Sequence, residues 1–391
     1  MKFLRAVSPL DWLMLAVPVA FAIRLIPAWH NETLLFIVVV IGIVPLAARM
    51  SCATEHLSER AGHGVGGLLN ATFGNATELI ISLIALSKGL IGIVKAAMIG
   101  SILGNILFML GAAILAGGLR FHHLRFNETG TRVASTSLGL ATIGLVIPTV
   151  FQWATERQPE SWVSGATQHL SLVIAITLLA TYALWLVFSL VTHTELFMRS
   201  QSDEHELVTD AKCNAPWSTT KSLYILAVST FLVAILGDFL ADSVQTACEN
   251  LGLTQVFVGV IVVAMVGNAS ESTAVVVAMK NKMDLSLNIA IGASLQIALF
   301  VIPVLVLSSS WLGHPMTLQF SLPEVIALAL AVGIVILISG DGECNWVEGA
   351  QLIFVYVIIA TLFYFLPASD EASAGQTTRE STPVFASPGL P

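Results

Sequence analysis

The chain has 391 residues, of which 56% are apolar and only 11% are charged, with a mean hydropathy of +0.85. A globular soluble domain carries about a quarter charged residues, so this composition excludes soluble, disordered and collagen-like classes and leaves a polytopic membrane protein. The net charge of −8 offers no basic surface for nucleic acid, and Cys52, Cys213, Cys248 and Cys344 lack the spacing of metal ligands.

The first ten residues lack the features of a cleaved signal, and an apolar stretch follows them directly. Apolar runs punctuated by charged residues, Gly and Pro then predict an all-α fold with about eleven transmembrane helices. The spans are 11–28, 33–57, 67–87, 91–118, 133–154, 168–192, 221–242, 254–279, 285–311, 321–340 and 347–366. Orientation follows from Lys and Arg, which cytoplasmic connections retain. With the amino terminus in the cytoplasm, twelve of the seventeen Lys and Arg fall on the cytoplasmic side. Lys88, Arg157 and Arg379 lie opposite, with Arg24 and Lys95 near helix ends on that side. The carboxyl terminus is then expected across the membrane from the amino terminus. The connection over 193–220 carries the acidic run Ser202 to Glu206, and residues 367–391 read as a disordered tail.

One internal repeat stands out. Gly74-Asn75-Ala76-Thr77-Glu78 in the third span matches Gly267-Asn268-Ala269-Ser270-Glu271 in the eighth, 193 residues later. The next spans also correspond, Ile99-Gly100-Ser101 with Ile291-Gly292-Ala293 and Phe108 with Phe300. Five spans separate the copies, an odd number, so they cross in opposite directions as an inverted-topology repeat. Such repeats place a substrate site near the bilayer midplane.

Glu78 and Glu271 lie well inside their spans, where a lone carboxylate costs about 2.5–3.5 kcal/mol on insertion scales. Two in matching positions require a partner or a function. Asn75 and Asn268 each precede a glutamate by three residues and share its helical face, so each half offers a carboxylate and an amide oxygen. Hard cations such as calcium take ligands of that kind. Gly74 and Gly267 permit local unwinding, and Ser101, Asn105, Ser294 and Gln296 on the following spans are candidates for a surrounding polar layer. Glu55, Asp238 and Asp242 stand near helix ends, as ion vestibules or as contacts with interfacial water.

Gly66 to Leu79 and Gly267 to Glu271 resemble the two repeats of the cation/proton exchanger (CAX, Ca2+/H+ antiporter) family of the calcium/cation antiporter superfamily. The resemblance extends in outline over all the predicted spans. It implies a leading helix in 1–32, a first half over 33–192, an acidic cytoplasmic linker over 193–220 and an inverted second half over 221–366. It implies a secondary transporter without a cofactor, not an enzyme, that exports calcium in exchange for protons. Glu78 and Glu271 would bind the transported ion, with Asn75 and Asn268 beside them. Glu55, Asp238 and Asp242 look like the acids that line the family's cytoplasmic entrance. This chain carries Ser272 where many members have His after the second glutamate.

The expected home is a prokaryotic cytoplasmic membrane, with the lipid bilayer as partner and oligomer formation left open. A Na+/Ca2+ exchanger is the alternative within transport, though its repeats resemble Gly-Ser-Ser-X-Pro-Glu and Thr-Ser-X-Pro-Asp. A passive cation channel would also use acidic rings without needing inverted topology. A membrane hydrolase would need a His-Glu-X-X-His pair or a Ser nucleophile with a placed His, which the spans lack.

Overall fold

The computed structural model describes residues 12–155, 159–192 and 217–367, so the acidic linker motif Ser202 to Glu206 and most of the predicted tail lie outside the described residues. Within them the chain is helical: α1 (Ala16–Leu25), α2 (Glu32–Ala61), α3 (His63–Phe73), α4 (Ala76–Ser87), α5 (Ile91–Leu103), α6 (Leu110–Arg120), α7 (Glu128–Thr155), α8 (Glu160–Val187) and α9 (Thr219–Leu251) come first. They are followed by α10 (Gln255–Phe257), α11 (Ala264–Gly267), α12 (Thr273–Ala278), α13 (Met283–Gln296), α14 (Ile302–Ser309), α15 (Leu322–Ile338) and α16 (Trp346–Phe365). Two short strands, β1 (Leu124–Arg125) and β2 (Glu343–Cys344), pair antiparallel with Leu124 opposite Cys344.

Among the described residues eight helical stretches are long and apolar enough to cross a membrane, and α1, α4 and α15 are shorter apolar helices. Side-chain caps fix several starts: Asn31 accepts from the Leu34 amide at 2.9 Å, Ser218 caps α9, and Ser321 with Glu324 and Asn345 with Glu348 form capping boxes on α15 and α16. α2 ends at Gly62 and α9 at Gly252, both at positive φ.

Two stretches run through the middle of the bundle, α5 with α6 and α13 with α14, and most of their residues are buried. They are apolar on all sides because every side meets protein. Each contains a π-helical segment at a matching place, Gly104–Met109 in the first and Ile297–Val301 in the second. Around them α8, α9 and α16 are less buried, with Val173, Ile176, Leu184, Phe231, Phe354 and Ile358 facing outward. Such an apolar perimeter is stable only against lipid. The chain is an integral membrane protein.

The two halves interlock reciprocally. Phe108 packs on Tyr356 of α16 with ring centroids 5.3 Å apart, and its counterpart Phe300 packs on Tyr182 of α8 at the same 5.3 Å. At Gly100 a Cβ would fall 2.1 Å from the Val260 carbonyl oxygen, so α5 and the π-helical turn Val258–Val263 meet backbone to backbone where only glycine fits.

Candidate functional site

Both repeat motifs interrupt their helices. In the first, Asn75 leaves helical geometry (φ −107°, ψ 30°) between α3 and α4, so the third predicted span is two helices. In the second, Asn268–Ser272 winds as a 3-10 helix between α11 and α12. The breaks put Glu78 in the first turn of α4, where the helix dipole favours a carboxylate, and Glu271 inside the 3-10 turn.

The four principal candidates converge in the interior. Glu78 is 4% exposed and Glu271 6%, and Asn75 and Asn268 are equally buried. Glu78 lies within electrostatic reach of Glu271, and a Cβ on Gly267 would stand 2.8 Å from Glu78 Cγ, so the second motif's backbone rests against the first motif's carboxylate. Each asparagine reaches into the other half. Asn75 Nδ2 donates to Gln296 Oε1 at 2.5 Å, and Asn268 Nδ2 donates to the Ser101 carbonyl at 2.9 Å. With the NH2 groups held, the amide oxygens of Asn75 and Asn268 and both carboxylate oxygens of Glu78 are buried without a hydrogen-bond partner. A buried acceptor left unmet costs about 1–3 kcal/mol, more for a charged group. Oxygen acceptors are what a hard cation or a proton satisfies.

A cavity of about 130 Å³ reaches this centre, lined by Glu55, Asn70, Asn75, Ser270, Glu271 and Gln296 among others. Glu78 is not among its lining residues.

The outlying candidates divide. Gln296 holds Asn75, Gly74 lies beside Gln296, and Ser101 contributes its carbonyl. Asn105 is fully buried with neither amide atom partnered, at the start of a π-helical segment. Ser294 turns its hydroxyl back to the Ala290 carbonyl of its own helix. Ser272 is exposed and donates to the Ala269 carbonyl.

The expected grouping of Glu55 with Asp238 and Asp242 in one vestibule is corrected. Glu55 lines the cavity near the carboxyl end of α2, whereas Asp242 binds Arg24 at 2.7 Å, and Arg24 also reaches Glu32 at the amino end of α2. Twenty-three residues of helix separate Glu32 from Glu55, about 35 Å at 1.5 Å per residue. Asp238 and Asp242 instead clamp Lys88, whose Nζ lies 2.5 and 2.6 Å from them. Partial burial works to lower the Lys88 pKa, and the hydrogen bonds and charges of the two aspartates outweigh it and hold the ammonium above its ordinary range.

Sequence reasoning missed Ser270, whose hydroxyl donates to both Glu271 oxygens at 2.9 Å, and the cavity residues Asn70 and Asn288. A signal for Asn288 was present: Asn288, Gly292 and Gln296 repeat every four residues on one helical face and all line the cavity.

The model of the family described as sodium/calcium exchanger protein matches residues 31–191 and 221–365, two blocks that each hold one motif. The chain belongs to that family. Within it, the chain is 42% identical over 368 residues to a protein of Synechocystis sp. named Ca(2+)/H(+) antiporter, covering 91% of this chain and 96% of that one. It is 42% identical to the Ca(2+)/H(+) antiporter ChaA of Bacillus subtilis, over 86% of this chain and 93% of the relative. The solved structure of native YfkE superposes with a TM-score of 0.77 at 38% identity, covering 91% of this chain and all of that one. These relatives place this exchanger in the cation/proton exchanger branch.

Proposed function

We propose that the protein is a secondary antiporter that exchanges calcium for protons at one site shared by Glu78 and Glu271, with Asn75 and Asn268 supplying amide oxygens. The observation that carries this reading is the set of unpartnered, buried acceptor oxygens that includes both of Glu78 and the amide oxygens of Asn75 and Asn268. The charge balance fits: two carboxylates neutralise one dication or hold two protons. Calcium favours the ionised carboxylates and expels protons, and protons refill the site when calcium leaves. A buried site with both carboxylates charged and nothing bound is costly, so the exposed face changes only when the site is loaded. That condition turns binding into exchange. Each pH unit across the membrane contributes about 1.36 kcal/mol per proton.

The organisation that fits this reading is a leading helix within 1–32 followed by halves at 33–192 and 221–366 of opposite topology, which rock about the shared site. The amino terminus is cytoplasmic in a prokaryotic inner membrane, the carboxyl terminus lies opposite, and the cavity beside Glu55 opens to the cytoplasm. Single cysteines introduced near Trp217 and at Pro367 test the orientation: labelling from opposite faces supports it, and labelling from one face overturns it.

Calcium uptake into everted vesicles tests the exchange. Uptake is expected to follow an imposed acid-inside pH gradient, to persist without sodium and to collapse when the gradient is dissipated. Uptake driven by a sodium gradient alone at clamped pH contradicts the proton-coupled reading.

A further inference from the structure

Thr77 and Ser270 occupy the same place in the two motifs, each the residue before the glutamate, and each carries a hydroxyl. The structure puts them to different use. Ser270 Oγ donates to both carboxylate oxygens of Glu271 at 2.9 Å. Thr77 Oγ1 turns away from Glu78 towards the Met50 sulfur of α2 at 3.8 Å, and both Glu78 oxygens go without a partner. Winding differs in step, 3-10 over Asn268–Ser272 and α-helical from Ala76. Access differs too: the cavity is lined by Ser270 and Glu271 and by neither Thr77 nor Glu78.

We propose that the hydroxyl before each glutamate is a side-specific positioning group. Ser270 orients the carboxylate of the half that faces the open cavity, and Thr77 takes over that task for Glu78 when the opposite face opens. The inference rests on the reading of Glu78 and Glu271 as the cation site. A hydroxyl suits the task because it both donates and accepts. With the carboxylate free of cation, Ser270 donates to it and fixes its direction. When calcium arrives, the hydroxyl rotates and presents a lone pair in place of its hydrogen. An alanine leaves the carboxylate to be ordered by the cation itself, which lowers affinity on the face where that carboxylate is first met. Because the two motifs alternate, each hydroxyl governs one face only.

The test measures the calcium KM separately on the two faces, in everted and right-side-out vesicles of the full-length protein, each driven by an opposing pH gradient. Ser270→Ala is expected to raise KM about fivefold on the Glu55 face, with maximal rate kept and the other face changed by less than about twofold. Thr77→Val is expected to do the reverse, and Ser270→Thr and Thr77→Ser to restore each value. Should Ser270→Ala fail to accumulate, Ser270→Cys, close in shape and weak as a donor, must give the same face-selective rise. Equal shifts on both faces, or no shift in either variant, overturn the proposal while an inactive Glu271→Gln leaves the site reading standing. A Glu271→Gln protein that transports at the normal rate overturns the site reading, and the proposal with it.

Discussion

The two copies of the Gly-Asn-Ala-X-Glu motif carry the same ligand chemistry in unlike surroundings. In both, an asparagine sends its NH2 group across to the other half and keeps its oxygen back. The reciprocal ring pairs Phe108–Tyr356 and Phe300–Tyr182 show the same symmetry in the scaffold. Yet Glu271 borders a cavity and receives a hydroxyl, whereas Glu78 is enclosed and receives none. The oxygen-bearing side chains match between the halves, and their access does not. A carrier needs that combination, because one site must be presented to two solutions in turn.

Neither glutamate should be dispensable. Glu78→Gln or Glu271→Gln removes half the charge that balances a dication, a loss on the scale of about 3–5 kcal/mol for a broken buried ion pair, or more than about a hundredfold in affinity. Calcium uptake in vesicles with matched protein levels is the measurement, and near-normal uptake by either variant removes that glutamate from the site.

The matched glycines Gly100 and Gly292 differ in how closely they are packed. A Cβ at Gly100 meets the Val260 carbonyl at 2.1 Å, while at Gly292 it meets nothing within 4 Å. Gly100→Ala should destabilise the protein by at least about 1–3 kcal/mol through overpacking, seen as a lower melting temperature in detergent. Gly292→Ala should leave that temperature nearly unchanged.

The asparagines should contribute alike despite the unequal access. Asn75→Ala and Asn268→Ala each remove an acceptor for the cation and leave a partner in the other half unmet, a cost of about 1–3 kcal/mol. Calcium KM should rise about tenfold in both. A rise confined to one variant would show that the halves do not share the ion.

The smallest effect is expected at the far end of α9. Asp238 and Asp242 are spent on Lys88 and Arg24, a partly exposed cluster whose pairs are each worth about 1 kcal/mol or less. Asp238→Asn and Asp242→Asn should therefore leave the calcium KM on the Glu55 face within about twofold of wild type. A larger rise would return these residues to the cation path.

Those aspartates also show how far the sequence could be read. Hydropathy located the helices because lipid demands long apolar runs, and the repeated Gly-Asn-Ala-X-Glu located the glutamates because a membrane tolerates few carboxylates. Helix-end position suggested ion vestibules, and only the resemblance placed all three acids at one cytoplasmic entrance. Following the predicted topology would have corrected it, since a span that starts beside Lys221 ends across the membrane from Glu55. Helix ends were misjudged where polarity masks continuity: α2 runs through Glu59 and Arg60 to Ala61, and α9 runs nine residues past Asp242 to Leu251. The Ser270 hydroxyl was illegible for another reason. Whether a side chain turns to the next carboxylate or to a neighbouring helix is decided by local winding, and the two motifs, nearly identical as text, wind differently.

The two glutamates are expected to form one site which holds either calcium or protons. Calcium titration of the purified protein by calorimetry, repeated in buffers of different ionisation enthalpy, counts the protons expelled per ion bound. The account predicts proton release on calcium binding that grows as the pH is lowered, towards two per calcium, and heat of binding that vanishes in Glu78→Gln and Glu271→Gln alike. Calcium binding without proton release at any pH between about 5 and 8, or release unchanged in either variant, would contradict it.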